Sequence, residues 1–391
     1  MKSVCLIVQN YYDIDPRVRR KAEALIAAGY NVDVIALRFP NKSGQTYTLN
    51  GVEVHTLPID KKRGSFLRYV FEYLAFFIMA SLKVTSMMAQ KRYHLIDVNT
   101  LPDFLVFAAL IPKWMGACVV LDMHEIMPEF YMSKYHVAKG HWLIRLIGLQ
   151  ERLSMRFADH VMTINEPIQR LLELRGLPRG KSTVLVNAAD DALFGGSTKR
   201  PTAQSRDHFV MMYHGTLTRF YGLDIALEAF GRVQSEMPTA EFWIVGDGPE
   251  RIELEHLVKR LGLEGRVRFI GMIPQQEIPS WLDQCHLGVL ATRKDMFLDF
   301  SFSNKLPEYI IKGKPVIASR LKAIRHYFSD RALAFFEPED AVDLSEMMVR
   351  LYKDPSMRED LVKQARKEYA AIGWDVMKQR YLQLVESQTQ A

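Results

Sequence analysis

Short apolar and β-branched runs alternate with longer stretches of helical periodicity along almost the whole chain. Runs bounded by Gly, Asn, Asp or Pro read as strands, and a regular strand–helix rhythm builds parallel sheets from βα units. Strands are predicted at 4–8, 32–36, 52–57, 95–98, 119–122, 161–164 and 184–186 in the first half. In the second half they are predicted at 209–213, 242–245, 267–270, 287–290, 315–318 and 333–336. The rhythm lapses between Asp190 and Asp207, where Gly195-Gly196-Ser197-Thr198 and Pro201-Thr202-Ala203-Gln204-Ser205 read as a polar linker. The fold class is therefore α/β, with one doubly wound domain over 1–195, a second over 206–370, and a terminal helix within 371–391.

Composition narrows this picture. A chain of 391 residues with 48% hydrophobic and 25% charged residues has material for two cores of ordinary size. The net charge of +6 suits anionic partners: nucleotide phosphates, acidic lipid or nucleic acid. Cys5, Cys118 and Cys285 lie far apart in or beside apolar runs and read as reduced core residues of a cytosolic protein. The start, Met1 to Val8, is too short for a signal peptide and leads directly into a strand.

Residues 303–319 hold the densest candidate chemistry. Ser303-Asn304-Lys305 is a polar, basic entry to a short helix carrying Pro307 in its first turn; Gly313 closes the helix, and an apolar strand follows. Either Ser303 or Asn304 can cap it. Lys305 and the first free amides then lie together, a setting that suits phosphate, and Glu308 one turn on can accept bonds from ribose hydroxyls. Tyr213-His214-Gly215-Thr216-Leu217-Thr218-Arg219 follows a strand, so Gly215 allows close approach to an anion and Arg219 offers a fork for phosphate oxygens. Two more glycine turns follow strands, at Gly246-Asp247-Gly248-Pro249 and at Gly271-Met272.

This ordered series resembles the nucleotide-sugar site of the family 4 retaining glycosyltransferases, which have the GT-B fold. Glu308, Gly313, Pro315 and Val316 match the family's Glu, Gly-x-Pro-Val pattern; Gly215 and Leu217 match its Gly-x-Leu loop, and Gly246 to Pro249 its Gly-x-Gly-Pro turn. Where the family places another Glu, eight positions before Glu308, this chain has Phe300. The resemblance implies two Rossmann-like domains facing each other across a cleft, the first binding the acceptor and the second the nucleotide sugar, with the last helix crossing back to the first domain. It implies transfer with retention from a UDP- or GDP-sugar to a glycan or lipid-linked acceptor, as in polysaccharide or glycolipid synthesis. Catalytic roles would fall to His124, Lys305 and Arg219, and nucleotide binding to Gly215, Thr216, Gly246, Gly248, Met272, Asn304 and Glu308. Acceptor or sugar contacts would fall to Arg17, Asn99, Asp103, Glu125 and Asp299. No metal, cofactor or nucleic acid is expected. A nucleotide-sugar epimerase of the same fold, or a non-catalytic binding subunit favoured by Phe300, are the alternatives.

The segment 66–90 has two readings. Phe66, Tyr69, Phe71, Tyr73, Phe76 and Phe77 stand among apolar residues, with Lys61, Lys62, Arg63, Arg68 and Lys83 nearby. It is either a long helix packed on the sheet or one whose aromatic face dips into an anionic membrane surface. In the second case the protein, otherwise cytoplasmic, sits at the inner face of the cell membrane.

Overall fold

A computed structural model describes residues 1–39, 44–59, 66–195 and 208–390. The chain divides into two compact units, one comprising Met1–Val186 with Asp375–Ala391, the other Asn187–Trp374. The division lies ahead of the polar linker predicted from 195, whose residues 196–205 lie outside the described residues. Ala188, Ala189 and Phe194 are buried, and the amide of Ala189 donates to Tyr369 Oη at 3.1 Å, so this stretch belongs to the second core.

The first unit holds eight strands: β1 (Ser3–Val8), β2 (Asn31–Leu37), β3 (Thr46–Leu49), β4 (Val52–Leu57), β5 (Leu95–Asn99), β6 (Cys118–Met123), β7 (His160–Thr163) and β8 (Ser182–Val184). Their order is β3-β4-β2-β1-β5-β6-β7-β8, parallel except for the edge pair β3–β4. Strands β1, β5 and β6 are buried almost throughout, as a sheet covered on both faces requires. The path runs outward from β1 to β2 and later restarts on its other side with β5, so the topological switch lies between β1 and β5.

The second unit holds β9 (Phe209–His214), β10 (Ala240–Val245), β11 (Val267–Gly271), β12 (Leu287–Leu290), β13 (Val316–Ser319) and β14 (Ala334–Phe336). All are parallel in the order β11-β10-β9-β12-β13-β14, so here the switch lies between β9 and β12. In such sheets ligands bind where strand order reverses, outside the carboxyl ends of the strands.

The terminal helix, Trp374–Gln390, packs into the first unit. Its buried Tyr381 donates to Asp97 Oδ2 at 2.8 Å. That carboxylate belongs to a closed network around Lys21, whose Nζ lies 2.7 Å from Asp122 Oδ2, 2.7 Å from Asn99 Oδ1 and 3.0 Å from Asp97 Oδ2. Fully buried charges survive folding only when paired in this way.

Candidate functional site

In the second unit the helix Lys305–Ile311 is set down by its apolar side. Leu306, Pro307, Tyr309 and Ile310 are buried, and Tyr309 donates to the Met212 carbonyl of β9 at 2.8 Å. Gly288 on β12 leaves room for that ring, because a Cβ there would stand 2.8 Å from it. Lys305 and Glu308, three residues apart, share the opposite side. The cap falls to Ser303, whose Oγ accepts from the Lys305 amide at 3.3 Å; Asn304 makes no side-chain cap bond and is exposed. Gly313 closes the helix in the left-handed region, with the Lys314 amide donating to the Tyr309 carbonyl at 2.9 Å.

The glycine loops stack backbone on backbone. The Gly215 amide donates to Val245 at 2.8 Å, Leu217 to Asp247 at 3.0 Å, and Gly246 to Gly271 at 2.8 Å. A Cβ on Gly246 would stand 2.0 Å from the Gly215 carbonyl oxygen, and one on Gly248 2.3 Å from that of Leu217. These positions are glycine because another backbone occupies the side-chain space. Above them Lys305 Nζ stands 3.8 Å from the centre of the Tyr221 ring and 5.4 Å from that of Tyr213. Among the described residues no carboxylate pairs with this ammonium. Arg219 is exposed on the Arg219–Tyr221 turn, Thr216 is exposed, and Met272 is 79% exposed beside Gly271.

Glu308 Oε2 lies 3.0 Å from Nε2 of His214, a buried residue that ends β9 and stacks on Tyr309 at 5.0 Å. Burial, reinforced by the charge of Lys305, pushes the His214 imidazole down to about 3, so it is neutral. His214 and Tyr221 escape sequence reasoning because one ends an apolar strand and the other is an aromatic residue in a turn, where neither announces a polar role.

In the first unit a cavity of about 230 Å³ opens at the β1/β5 switch. Gln9, Asn10 and Asp15 enter it from the loop after β1. Thr100, His124 and Glu125 enter from the ends of β5 and β6, and Tyr69, Glu72 and Tyr73 from the helix Phe66–Gln90. The 69, 72, 73 spacing is the helical signal that could have found the last three. The His124 amide donation to Thr100 Oγ1 (3.1 Å) and the 3.2 Å approach of its Nε2 to Asp122 Oδ2 hold His124 at the rim. Burial would raise the Asp122 carboxyl, but Arg17, Lys21 and His124 outweigh it and hold it well below the ordinary range. Burial pushes the half-buried Glu125 up to about 8. Gln9 Oε1 has no hydrogen-bond partner.

Several expected contacts are corrected. Arg17 is a buried ion-pair partner, with Nε 2.9 Å and Nη2 2.7 Å from the Asp122 oxygens and Nη1 donating to Leu185 at 2.7 Å. Asn99 is spent in the Lys21 network. Asp103 is fully buried, and neither carboxyl oxygen has a hydrogen-bond partner; burial, with Glu151 nearby, raises its carboxyl far above the usual range, so it stays protonated. Asp299 accepts from the Lys322 amide at 2.8 Å and so steadies the helix Lys322–Tyr327. Each lies at or near a strand or loop end where a polar residue can turn inward as readily as outward. Elsewhere, Asp33, Glu53 and His55 bring three donor atoms within 4.8 Å of one another, but Asp33 already holds Lys91, Tyr93 and His55.

Two parallel-sheet units, each with polar groups gathered at its switch point, define a class of proteins that bind ligands on paired doubly wound domains. Residues 14–188 match the glycosyl transferase 4-like domain, and residues 208–354 match the model described as glycosyl transferases group 1. The chain belongs to the group 1 glycosyltransferases. It is 20% identical over 350 residues to the phosphatidylinositol N-acetylglucosaminyltransferase gpi3 subunit of Schizosaccharomyces pombe, covering 88% of this chain and 71% of that protein. It is 23% identical over 265 residues to alpha-D-kanosaminyltransferase of Streptomyces kanamyceticus, covering 66% and 67%. Sucrose-phosphate synthase from Thermosynechococcus elongatus superposes with a TM-score of 0.79 at 19% identity over 99% of each chain. Anabaena Alr3699/HepE, solved in complex with UDP, gives 0.73 at 17% identity over 99% of this chain and 100% of that one. The fold is GT-B.

Proposed function

We propose that the protein moves a sugar from a nucleoside diphosphate sugar to a glycan or lipid-linked acceptor, with retention at the anomeric carbon. The observation that carries this reading is Lys305, an ammonium without a described carboxylate partner, poised over stacked glycine backbone at the β9/β12 switch. Lys305 and the exposed Arg219 meet the charge that grows on the departing diphosphate, in place of a resident metal. Glu308 takes the ribose hydroxyls, and the backbone around Gly246, Gly248 and Met272 takes the base. The acceptor hydroxyl attacks the face that the diphosphate leaves; the C–O bond to phosphate breaks as the new glycosidic bond forms, and the leaving phosphate oxygen takes the acceptor's proton.

The acceptor belongs to the first-unit cavity. Its polar lining is hydroxyl, amide, imidazole and carboxyl, with no lysine or arginine among its described lining residues. That chemistry suits the hydroxyls of a sugar or polyol rather than a phosphate. UDP is the first donor to test, because Alr3699/HepE was solved with UDP and with UDP-glucose.

A non-catalytic nucleotide-sugar-binding subunit is the second reading. It is favoured by Phe300, whose ring lies 4.8 Å below Lys322 Nζ at the place of the family's other Glu. A melting-temperature screen over UDP-, GDP- and ADP-sugars selects the donor, since a ligand bound only by the native state raises stability. Release of nucleoside diphosphate is then followed with and without sugar acceptors. Release that requires an acceptor supports transfer, release without one supports epimerisation, and binding without any release supports the subunit reading.

A further inference from the structure

The outer side of the first unit carries an apolar face that none of the site chemistry uses. Right-handed crossovers place three helical segments side by side on one face of the sheet: Phe66–Gln90, the stretch Asp103–Ala109 continuing as Leu110–Trp114, and Trp142–Phe157. The middle one touches both neighbours, through Phe104 against Phe77 (5.7 Å) and Phe107 against Phe157 (5.0 Å).

Each segment turns a different stripe inward and outward. In Phe66–Gln90 the described buried residues are Glu72, Phe76, Ala80, Val84, Met87 and Met88, at helical spacing, while Phe71, Leu74, Ile78 and Leu82 are exposed. This corrects the aromatic face read from sequence: Phe76 is core, Tyr69 and Tyr73 line the cavity, and Lys61, Lys62, Arg63 and the Phe66 side chain lie outside the described residues. The middle segment exposes Ile111, Trp114 (77%) and Met115. The third exposes Trp142 (67%), Leu146, Leu149 and Leu153, with Arg145, Arg152 and Arg156 exposed alongside. Contiguous apolar faces of this extent on a folded chain mark a surface that something covers.

Charge decides what covers it. The three segments contain only three carboxylates, Glu72, Asp103 and Glu151, and all three are buried. Arg68 is paired with Glu72 at 2.8 Å and Lys113 with Asp159, just past the third segment, at 2.6 Å, so the outward charge that is left is basic and is carried chiefly by Arg145, Arg152 and Arg156. A second copy of this face would bring like charges together, whereas a bilayer bearing anionic headgroups satisfies the apolar stripes and the arginines at once. We propose that the first unit docks on an anionic lipid surface through this three-helix face, with Trp114, Trp142 and the leucines of Trp142–Phe157 entering the headgroup region. The other side of Phe66–Gln90 lines the cavity, so the bilayer would lie about one helix diameter, roughly 10 Å, from it. The proposal stands apart from the transferase reading and needs no donor to test.

The full chain is co-sedimented with vesicles of equal parts phosphatidylglycerol and phosphatidylcholine, and with phosphatidylcholine alone, at low salt and at about 0.5 M salt, where screening shortens to roughly 4 Å. The parent should pellet with anionic vesicles at low salt. The triple variant Arg145→Gln, Arg152→Gln, Arg156→Gln should lose about a hundredfold in partition, roughly fivefold for each arginine. Leu146→Glu with Leu149→Glu should abolish binding while the melting temperature is kept, since both positions are exposed. A control triple on the second unit, Lys259→Gln, Arg260→Gln, Arg350→Gln, should bind like the parent. A parent that stays in the supernatant with anionic vesicles at low salt overturns the proposal. So does an arginine triple variant that partitions like the parent, or a lipid-free dimer that Leu149→Glu makes monomeric while vesicles go unbound.

Discussion

Gly215→Ala separates the positioning of Lys305 from its mere presence. Gly215 has φ +126°, and a Cβ there would stand 2.2 Å from Lys305 Cε and 3.0 Å from its Nζ. Carbon atoms need about 3.5 Å, so the lysine tip must retreat by about 1.3 Å. The lysine yields before the loop does, because its stem is flexible while the Gly215 amide is tied to Val245. The positive φ adds about 1–3 kcal/mol of strain, which appears as lost stability. Misplacing a catalytic charge by about 1 Å costs roughly a hundredfold in turnover. Deleting it, in Lys305→Ala, should cost roughly 100- to 1,000-fold. In the double variant the new methyl keeps only the Tyr213 hydroxyl, at 3.5 Å, among its three nearest contacts. The double variant should therefore turn over like Lys305→Ala alone, a coupling of about 2–3 kcal/mol. The assay is the initial rate of nucleoside diphosphate release with saturating donor and acceptor, below each variant's melting transition. If the two losses multiply, or if Gly215→Ala keeps the parental rate, Lys305 does not act from the position described.

Glu308→Ala should weaken nucleotide binding by about 2–3 kcal/mol in a folded protein, read by calorimetry; unchanged affinity would remove the ribose assignment. Glu125 has a folded-state carboxyl raised from 4.5 to about 8, so its stabilising share is complete below the unfolded value and is lost as pH rises toward 8. Stability should fall over that window by at most ~5 kcal/mol, and by less where cavity water hydrates the carboxylate, read as a lower melting temperature that Glu125→Gln should no longer show. Lys21→Met should cost about 3–5 kcal/mol by stranding Asp97 and Asp122, measured by urea denaturation. Tyr381→Phe should cost about 1.5–3 kcal/mol through the lost bond to Asp97.

Most of the fold was legible because a sheet covered on both faces forces its strands to be apolar runs. The two departures show what that signal measures. β3 (Thr46–Leu49) went unread because it is a polar, largely exposed edge strand, the one antiparallel member of its sheet. The run at 184–186 was read as a strand, yet the ladder with β7 uses Ser182, Thr183 and Val184; Leu185 and Val186 are buried beyond it. Apolar runs report burial, and burial continues where hydrogen-bonded pairing stops. The same reason places Asn187 to Phe194 with the second unit, because a polar linker marks where the chain leaves a core and not which core its neighbours join.

The two halves of the candidate site were legible to different degrees for a physical reason. Around the donor loops the requirement acts on the backbone: Gly246 can only be glycine where the Gly215 carbonyl occupies its side-chain space, and that demand leaves a spaced pattern in the sequence. Around the acceptor the requirement acts on side-chain direction. Asn99, at the end of β5, looks in sequence like a neighbour of the open edge, yet it points into the Lys21 network; His124, just beyond the end of β6, faces the cavity. No local pattern separates the two, because both reach buried charge, Asn99 at Lys21 and His124 at Asp122, and only the fold shows that the first contact lies inside the core and the second at the cavity rim. Arg17 follows the same logic. Asp122 is fully buried and must be compensated, so the arginine that reads as a reach for an acidic acceptor is drawn inward to hold it. With that cation spent, the described lining of the cavity holds neutral and acidic groups, a set that suits hydroxyls better than anions.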